Sequence, residues 1–478
     1  MALYVQQIKL PGFIRQIFST EHMVKEEMRR GEITPTKEAY KQSLRIASPA
    51  VAEMVSIALM SMLDMIMVGQ LGVAAVAAIG LTGQPRMIFF SVFFALNIAV
   101  TAIVSRNKGA GDDAAAKSCL RQSIMLVVIG GSILTVLAVI LARPMMLLAG
   151  AQYDTIDMAT AYFRITGYGL IFAIMSGVIC AAQRAAGNTK ITMQVNVVAN
   201  IVKVIFNFLL IAGRFGFPAL GVNGAAISLV IANVISCALA MASLLKKDGY
   251  LRLTIKESWR PDIPMLKTIG RVTAGGMLEQ LFMRVGFFAY AMVIAGLGTL
   301  ETAAHFIAMQ FMNLSFTFAD GIGVATTALV GQNLGKKRPD LSIMFGKIGT
   351  RLAWCVALVL STTVLLTRWH FPLLFADGNM EVVAITAGIM LVIVFILPLQ
   401  TAQIVMAGSL RGAGDTKYVA FTMLITVALI RPIMGFVLTY PVGMGLIGAW
   451  IAIIFDQGVR LTLLLTRFTR GRWINTQL

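Results

Sequence analysis

The chain has 478 residues, of which 58% are hydrophobic and 13% charged, and its mean hydropathy is +0.81, a composition far outside that of soluble globular domains. A net charge of +18 raises nucleic acid as a partner, but the placement of the basic residues argues for a membrane instead. With both termini cytoplasmic, 31 of the 40 Lys and Arg fall on the inner side and only Arg143, Arg164, Arg214 and Arg368 fall outside, which is the positive-inside asymmetry of a multi-pass membrane protein.

Residues 1–43 carry charges throughout and lack a signal peptide's apolar core, so the first span is expected to double as the insertion signal. Residues 3–18 read either as an interfacial amphipathic helix, with Ile8, Ile14, Ile17 and Phe18 toward lipid, or as a mobile tail. A helix needs roughly 20 mostly apolar residues to cross about 30 Å of hydrocarbon. Twelve such runs follow, near 44–66, 82–105, 121–142, 163–182, 192–212, 221–245, 268–296, 303–330, 348–370, 382–407, 419–440 and 443–467. Barrel strands would not give unbroken runs of this length, so the expected fold is all-α.

The first span, "SPAVAEMVSIALMSMLDMIMVGQLG", carries Glu53 and Asp64. Eleven residues at 100° each place both carboxylates on one face, about 16 Å apart along the axis. A carboxylate facing lipid is costly, whereas one facing a wet cavity can exchange a proton or hold a cation. Pro49, four residues before Glu53, loosens the local hydrogen-bond ladder and reads as either static curvature or a moving hinge. The fifth span places Asn196, Asn200, Lys203 and Asn207 at steps of four, three and four, one polar face on an apolar helix. Amides can bond between helices, but Lys203 needs an anion or water, so this face is expected to meet the first span, with Lys203 near Asp64 or Glu53.

The sequence overlays on itself at a shift near 226: "VGQLGVAAVAA" on "IAGLGTLETAA", "AVTAIVSRNKG" on "ATTALVGQNLG", "RAAGNTK" on "RGAGDTK" and "GVNGAA" on "GLIGAW". Two six-helix halves are therefore expected, 44–245 and 268–467, joined by the basic stretch 246–267 and followed by a cytoplasmic tail, 468–478. An even number of spans per half gives both the same orientation, the arrangement of carriers that bind substrate between their halves and rock. Under the shift Glu53 becomes Glu279, a duplicated acid that reads as an anchor. Asp64 becomes Tyr290, which marks Asp64 as the specialised one, read as a coupling-ion site or else as a structural hydrogen bond.

The second half offers Glu279, Arg284, Asp320, Arg431, Asp456 and Arg460 within its spans. The register sets Arg431 over Asn207, and the expected pair is Glu279 with Arg431. Soluble chemistry is weakly signalled. "GQNLGKK" is one residue short of a phosphate loop, His22, His305 and His370 are scattered without a metal motif, and the four cysteines read as packing residues. The glycine-rich basic clusters read as cytoplasmic turns. No metal, catalytic residue or cofactor is expected beyond a coupling ion. The 29 Met and 27 Phe suit a pliable cavity or simply helix packing.

Pro49, "LDMIMVGQLG", "AAVAAIGL", "NFLLIAGRFGFPALGVNGAA" and "RGAGDTK" together resemble the multidrug and toxic compound extrusion (MATE) family, over nearly the whole chain. The resemblance implies a V-shaped pair of lobes in the bacterial inner membrane, exporting cationic or amphiphilic organic compounds in exchange for H⁺ or Na⁺, with lipids as surroundings and a monomer as the working unit. Asp64 matches the family's first-span coupling acid, and Glu279 the seventh-span acid of some branches. Asn207 sits where DinF-like members often carry Asp, and Lys203 where the residue is usually neutral. The implied assignment is cation coupling by Asp64, Glu53, Lys203, Asn207 and Glu279, a substrate cavity of Asn196, Asn200, Arg284, Asp320 and Arg431, and Pro49 as hinge. The rival readings are a flippase for a lipid-linked saccharide, a non-transporting receptor or scaffold, and, last, an intramembrane enzyme.

Overall fold

The computed structural model describes residues 18–153, 155–246, 249–253, 259–373, 375 and 379–476, so most of the amphipathic stretch expected at 3–18 lies outside the described residues. The described chain is all-α. Its spans are α1 (Thr36–Gly69), α2 (Ala74–Ala110), α3 (Asp113–Ile140), α4 (Ile156–Tyr168 with Leu170–Ala185), α5 (Thr189–Leu210), α6 (Gly221–Leu244), α7 (Ile263–Ala295), α8 (Leu300–Gly335), α9 (Pro339–Thr367), α10 (Met380–Gly412), α11 (Thr416–Thr439) and α12 (Gly445–Thr469). Each expected apolar run lies on one of these helices. Several helices run longer than the apolar core because polar turns such as "TKEAYKQ" extend α1 beyond it.

Local chemistry accounts for the ends. Asp112 accepts a hydrogen bond from the Ala115 amide at the start of α3, and Asp262 from Met265 at the start of α7, satisfying amide groups that a helix start leaves unpaired. The duplicated loops end α4 and α10 alike: Gly187 and Gly414 take φ of 88° and 86°, and the following amides of Asn188 and Asp415 reach back to the carbonyls of Gln183 and Leu410. These are glycine-dependent helix stops, as the sequence suggested.

Three helices depart from regularity, among them α3, which carries a π-helical stretch at Val127–Gly131. Helix α4 bends by 48° at Gly169, where a Cβ would stand 3.0 Å from Val230 of α6. In α11 a π-helical stretch, Leu424–Ile430, precedes Arg431 and Pro432; proline lacks the amide donor that a regular ladder requires there. Helix α1 stays continuous through Pro49.

Each half has its own apolar core, one built around Phe93, Leu120, Val178 and Ile179, the other around Ile389, Ile393, Leu397 and Trp450. The halves meet at the end of the bundle where the described chain begins and ends. There α2 and α8 cross reciprocally: a Cβ on Gly109 would lie 1.8 Å from the Gln332 carbonyl oxygen, and one on Gly335 would lie 1.9 Å from that of Arg106. Gly276 backs onto Ala95 and Gly321 onto Val51 in the same interface. At the far end Gly69, Gly72, Gly80 and Gly83 have open space instead.

The terminal segments join this end. Met23 and Val24 are buried with Leu334, Phe345 and Phe468 of the second half, and Lys347 donates to the Met23 carbonyl at 2.6 Å. After α12 the chain turns so that Trp473, fully buried, stacks on Phe468 with centroids 5.0 Å apart. Arg106 of the first half then donates to the Thr476 carbonyl at 2.8 Å. Residues 18–35 and 470–476 are thus packed structure and not free tails.

Candidate functional site

Helices α1 and α5 pack along their length, and the polar face of α5 meets both α1 acids. At the lower level, nearer the termini, Glu53 is 1% exposed. It accepts hydrogen bonds from Arg184 Nη1 (3.0 Å), Thr192 Oγ1 (2.8 Å) and Asn196 Nδ2 (2.7 Å). Three donors, one of them cationic, offset the desolvation of a buried carboxylate.

About three helical turns further along, Asp64 forms an ion pair with Lys203 and accepts from Asn207 Nδ2 at 2.8 Å. This pair is more open than the first, with side chains 18% and 20% exposed. Asn207 Oδ1, beside it, is a buried acceptor with no donor among the described residues. Lys203 therefore goes to Asp64 and not to Glu53. Asn200 lies on the same face without a side-chain hydrogen bond among the described residues.

In the second half, Glu279 is 1% exposed and held by Arg411 through Nε at 3.2 Å and through Nη2. The expected Glu279–Arg431 pair does not form. Arg431 instead pairs with Asp456, which also takes Arg460, while Arg460 Nε donates to Thr426 Oγ1 at 3.1 Å. The reason is depth. Arg431 lies over the rings of Phe287 and Tyr290, about 16 Å above Glu279 by the rise of the helix. The register over Asn207 was sound, but Asn207 is level with Asp64, whose counterpart is Tyr290.

Asp320 of α8 lies within electrostatic reach of Arg411, Arg184 and Glu53. It is thus near both the Glu53–Arg184 pair of one half and the Glu279–Arg411 pair of the other. Together they make a belt of three carboxylates and two guanidinium groups at the seam. Among the described residues Arg284 joins neither this belt nor Asp456, and its Nε is buried without a partner.

Two residues central to this geometry, Arg184 and Arg411, were passed over as turn charges. The signal was present in the repeat: the "RAAGNTK" and "RGAGDTK" arginines are related by a shift of 227, almost that of Glu53 and Glu279. Tyr162 and Arg86 were also missed. The Tyr162 hydroxyl is acted on by both Arg86 and Asp64, which brings an arginine into the neighbourhood of the open carboxylate.

The MatE family model matches residues 49–209 and again 276–437, one match in each half. A protein from Thermotoga maritima described as a probable multidrug resistance protein NorM is 28% identical over 447 residues, covering 91% of this chain and 93% of that protein. A NorM-described protein from Agrobacterium fabrum is 28% identical over 412 residues, 85% and 88% of the two chains. Among solved structures, an outward-facing multidrug resistance MATE transporter of the MOP superfamily superposes with a TM-score of 0.86 at 20% identity, covering 92% of this chain and 97% of that one. The Vibrio cholerae MATE transporter VcmN gives 0.83 at 20% identity, over 92% and 99%.

Proposed function

The chain belongs to the MatE family, and on that premise we propose that it is a secondary active multidrug efflux transporter, working by antiport with H⁺ or Na⁺ in the bacterial plasma membrane. Relatives described as multidrug resistance proteins support the efflux reading, and the clustering of basic residues at the terminal end supports cytoplasmic termini. In this orientation the α2–α8 crossing, where Gly109 and Gly335 lie against backbone, closes the cytoplasmic side.

Asp64 is the coupling carboxylate. The single observation that carries this assignment is its accessibility: Glu53 and Glu279 are 1% exposed and locked by arginine, whereas Asp64 is 18% exposed and shares an ammonium and an amide. An incoming H⁺ or Na⁺ takes the place of Lys203 at Asp64, with Asn207 Oδ1 as a ready acceptor. Freed from Asp64, Lys203 no longer ties α5 to α1, and α1 bends at Pro49 as the halves rock. Two discrete arrangements of one ion pair, each favoured by a different ligand, are what antiport requires.

The test is gradient-driven dye efflux by Asp64→Asn in proteoliposomes, run under an imposed pH gradient and then an imposed sodium gradient. Loss of efflux under the effective gradient is expected, with dye binding kept. Undiminished efflux in that variant would remove Asp64 from the mechanism.

A further inference from the structure

A groove of about 420 Å³ runs between α10 and α12 of the second half. Leu399 of α10 and Ile454, Phe455, Val459 and Leu463 of α12 line it together with Gly458. A Cβ added at Gly458 would have no atom within 4 Å, so the missing side chain is part of the opening. Thr462 is the one polar side chain in the lining, and its hydroxyl donates to the Gly458 carbonyl at 2.9 Å. The groove therefore offers an occupant apolar contact alone. Asp456 and Arg460, the charges of α12 at this depth, are buried against the rest of the second half. The exposed side of α12 is left without charge over this stretch, as a lipid-facing surface requires.

The helical period carries the same face on to Arg470, which leaves the axis within about 20° of both Val459 and Leu463. The rise sets Arg470 about 16 Å beyond Val459, close to the depth of one leaflet in a hydrocarbon core of roughly 30 Å. Arg470 ends α12, is exposed, and has no ion pair among the described residues. Asp415, the acid at the neighbouring start of α11, is taken by Arg467 through Nε at 2.8 Å. Arg472 is exposed as well. An apolar groove one leaflet deep thus leads to uncompensated positive charge at headgroup level.

We propose that this groove binds an anionic phospholipid of the leaflet at the terminal end, with one acyl chain lying along Gly458 and the phosphate meeting Arg470. A second helix, about 10 Å across with its side chains, is wider than the gap left by one missing side chain, whereas a single acyl chain is not. A zwitterionic headgroup brings its own cation to the arginine, while an anionic one keeps the full attraction. The site lies outside the coupling machinery and does not rest on the efflux reading.

The probes are palmitoyl-oleoyl phosphatidylglycerol and phosphatidylcholine, which share their acyl chains, titrated against the full chain in a nonionic detergent and read by native mass spectrometry as the first lipid adduct. Phosphatidylglycerol should bind about fivefold more tightly, the scale of one basic side chain at an anionic lipid surface. Arg470→Gln should bring the two lipids to within about twofold by weakening phosphatidylglycerol alone, and Arg470→Lys should keep most of the preference. Lys190→Gln, which removes an exposed charge at the start of α5, should leave the preference intact. Gly458→Leu, whose Cβ meets no atom, should weaken both lipids alike by filling the groove. Equal affinity of the unaltered protein for the two lipids would overturn the proposal, as would a preference that survives Arg470→Gln. An equal loss in Lys190→Gln would do the same by making the preference one of net charge, and undiminished binding of both lipids by Gly458→Leu would remove the groove from the site. None of these readouts involves transport, so their failure leaves the efflux reading standing.

Discussion

Replacing Gly109 or Gly335 by alanine probes the seal between the halves without touching either core. The new methyl carbon would stand 1.8 Å from the Gln332 carbonyl oxygen or 1.9 Å from that of Arg106, roughly 1.5 Å short of ordinary van der Waals contact. The obstacle is helix backbone on both sides, so no side-chain rotamer change relieves it. The helices must separate at the crossing, and overpacking of this kind costs about 1–3 kcal/mol. Charged to the closed arrangement alone, that cost shifts the balance toward parted terminal ends by about 5- to 150-fold. Spin labels on the terminal ends of α2 and α8, read by double electron–electron resonance, should report a longer distance or a second, longer population. The double variant should show it more strongly, since the two contacts are reciprocal. An unchanged distance distribution in a well-folded Gly109→Ala/Gly335→Ala protein would refute the view that these glycines hold the seal.

The Glu279–Arg411 pair supplies a second test. Arg411→Met leaves a buried carboxylate unpaired and should cost about 3–5 kcal/mol, whereas Glu279→Leu/Arg411→Met should recover most of that loss. Thermal unfolding in detergent compares them, and a double variant as unstable as the single would show that the cost is not that of an orphaned charge. At the terminal end, Trp473→Ala removes a fully buried ring, a change that costs up to about 3–5 kcal/mol in a packed site. Amide exchange should rise in residues 18–35 and in the last turn of α12, since Trp473 Nε1 donates to the Phe468 carbonyl at 2.7 Å. Exchange confined to residues 470–476 would mean that the N-terminal segment packs without its help.

The spans were legible because lipid imposes length and apolarity on them, and the duplication because it preserved glycine-bearing loops. The α1–α5 contact was legible because four polar residues at helical spacing leave only one face to bury. What failed was the choice of partner for Glu279. Periodicity gives the direction in which a side chain leaves a helix, and the repeat gives its level, yet pairing by charge alone overrode the level that the repeat had supplied. Arg184 and Arg411 escaped notice because they lie near glycine turns, where basic residues are expected for topological reasons. Trp473 escaped because a lone aromatic in a short polar segment has no periodicity to read.

The two halves have kept one level of the duplicated design and diverged at the other. Near the termini each holds a glutamate against an arginine from the loop-proximal end of its fourth or tenth helix, and Asp320 lies within electrostatic reach of both arginines. A carboxylate with a guanidinium on either side of the seam favours the arrangement in which the halves meet, and this is the end where glycines let them touch. At the other level the copies differ in kind. The first half has a partly exposed acid with one ammonium, whereas the second has tyrosine at the corresponding position and a buried aspartate between two guanidinium groups. Breaking that triad would leave charge unpaired in a buried site, which is strongly unfavourable, while the proposed parting of Lys203 from Asp64 would exchange one cation for another at a partly exposed site. On the proposed mechanism this asymmetry predicts that the moving part lies in the first half, with the second as the body against which it turns.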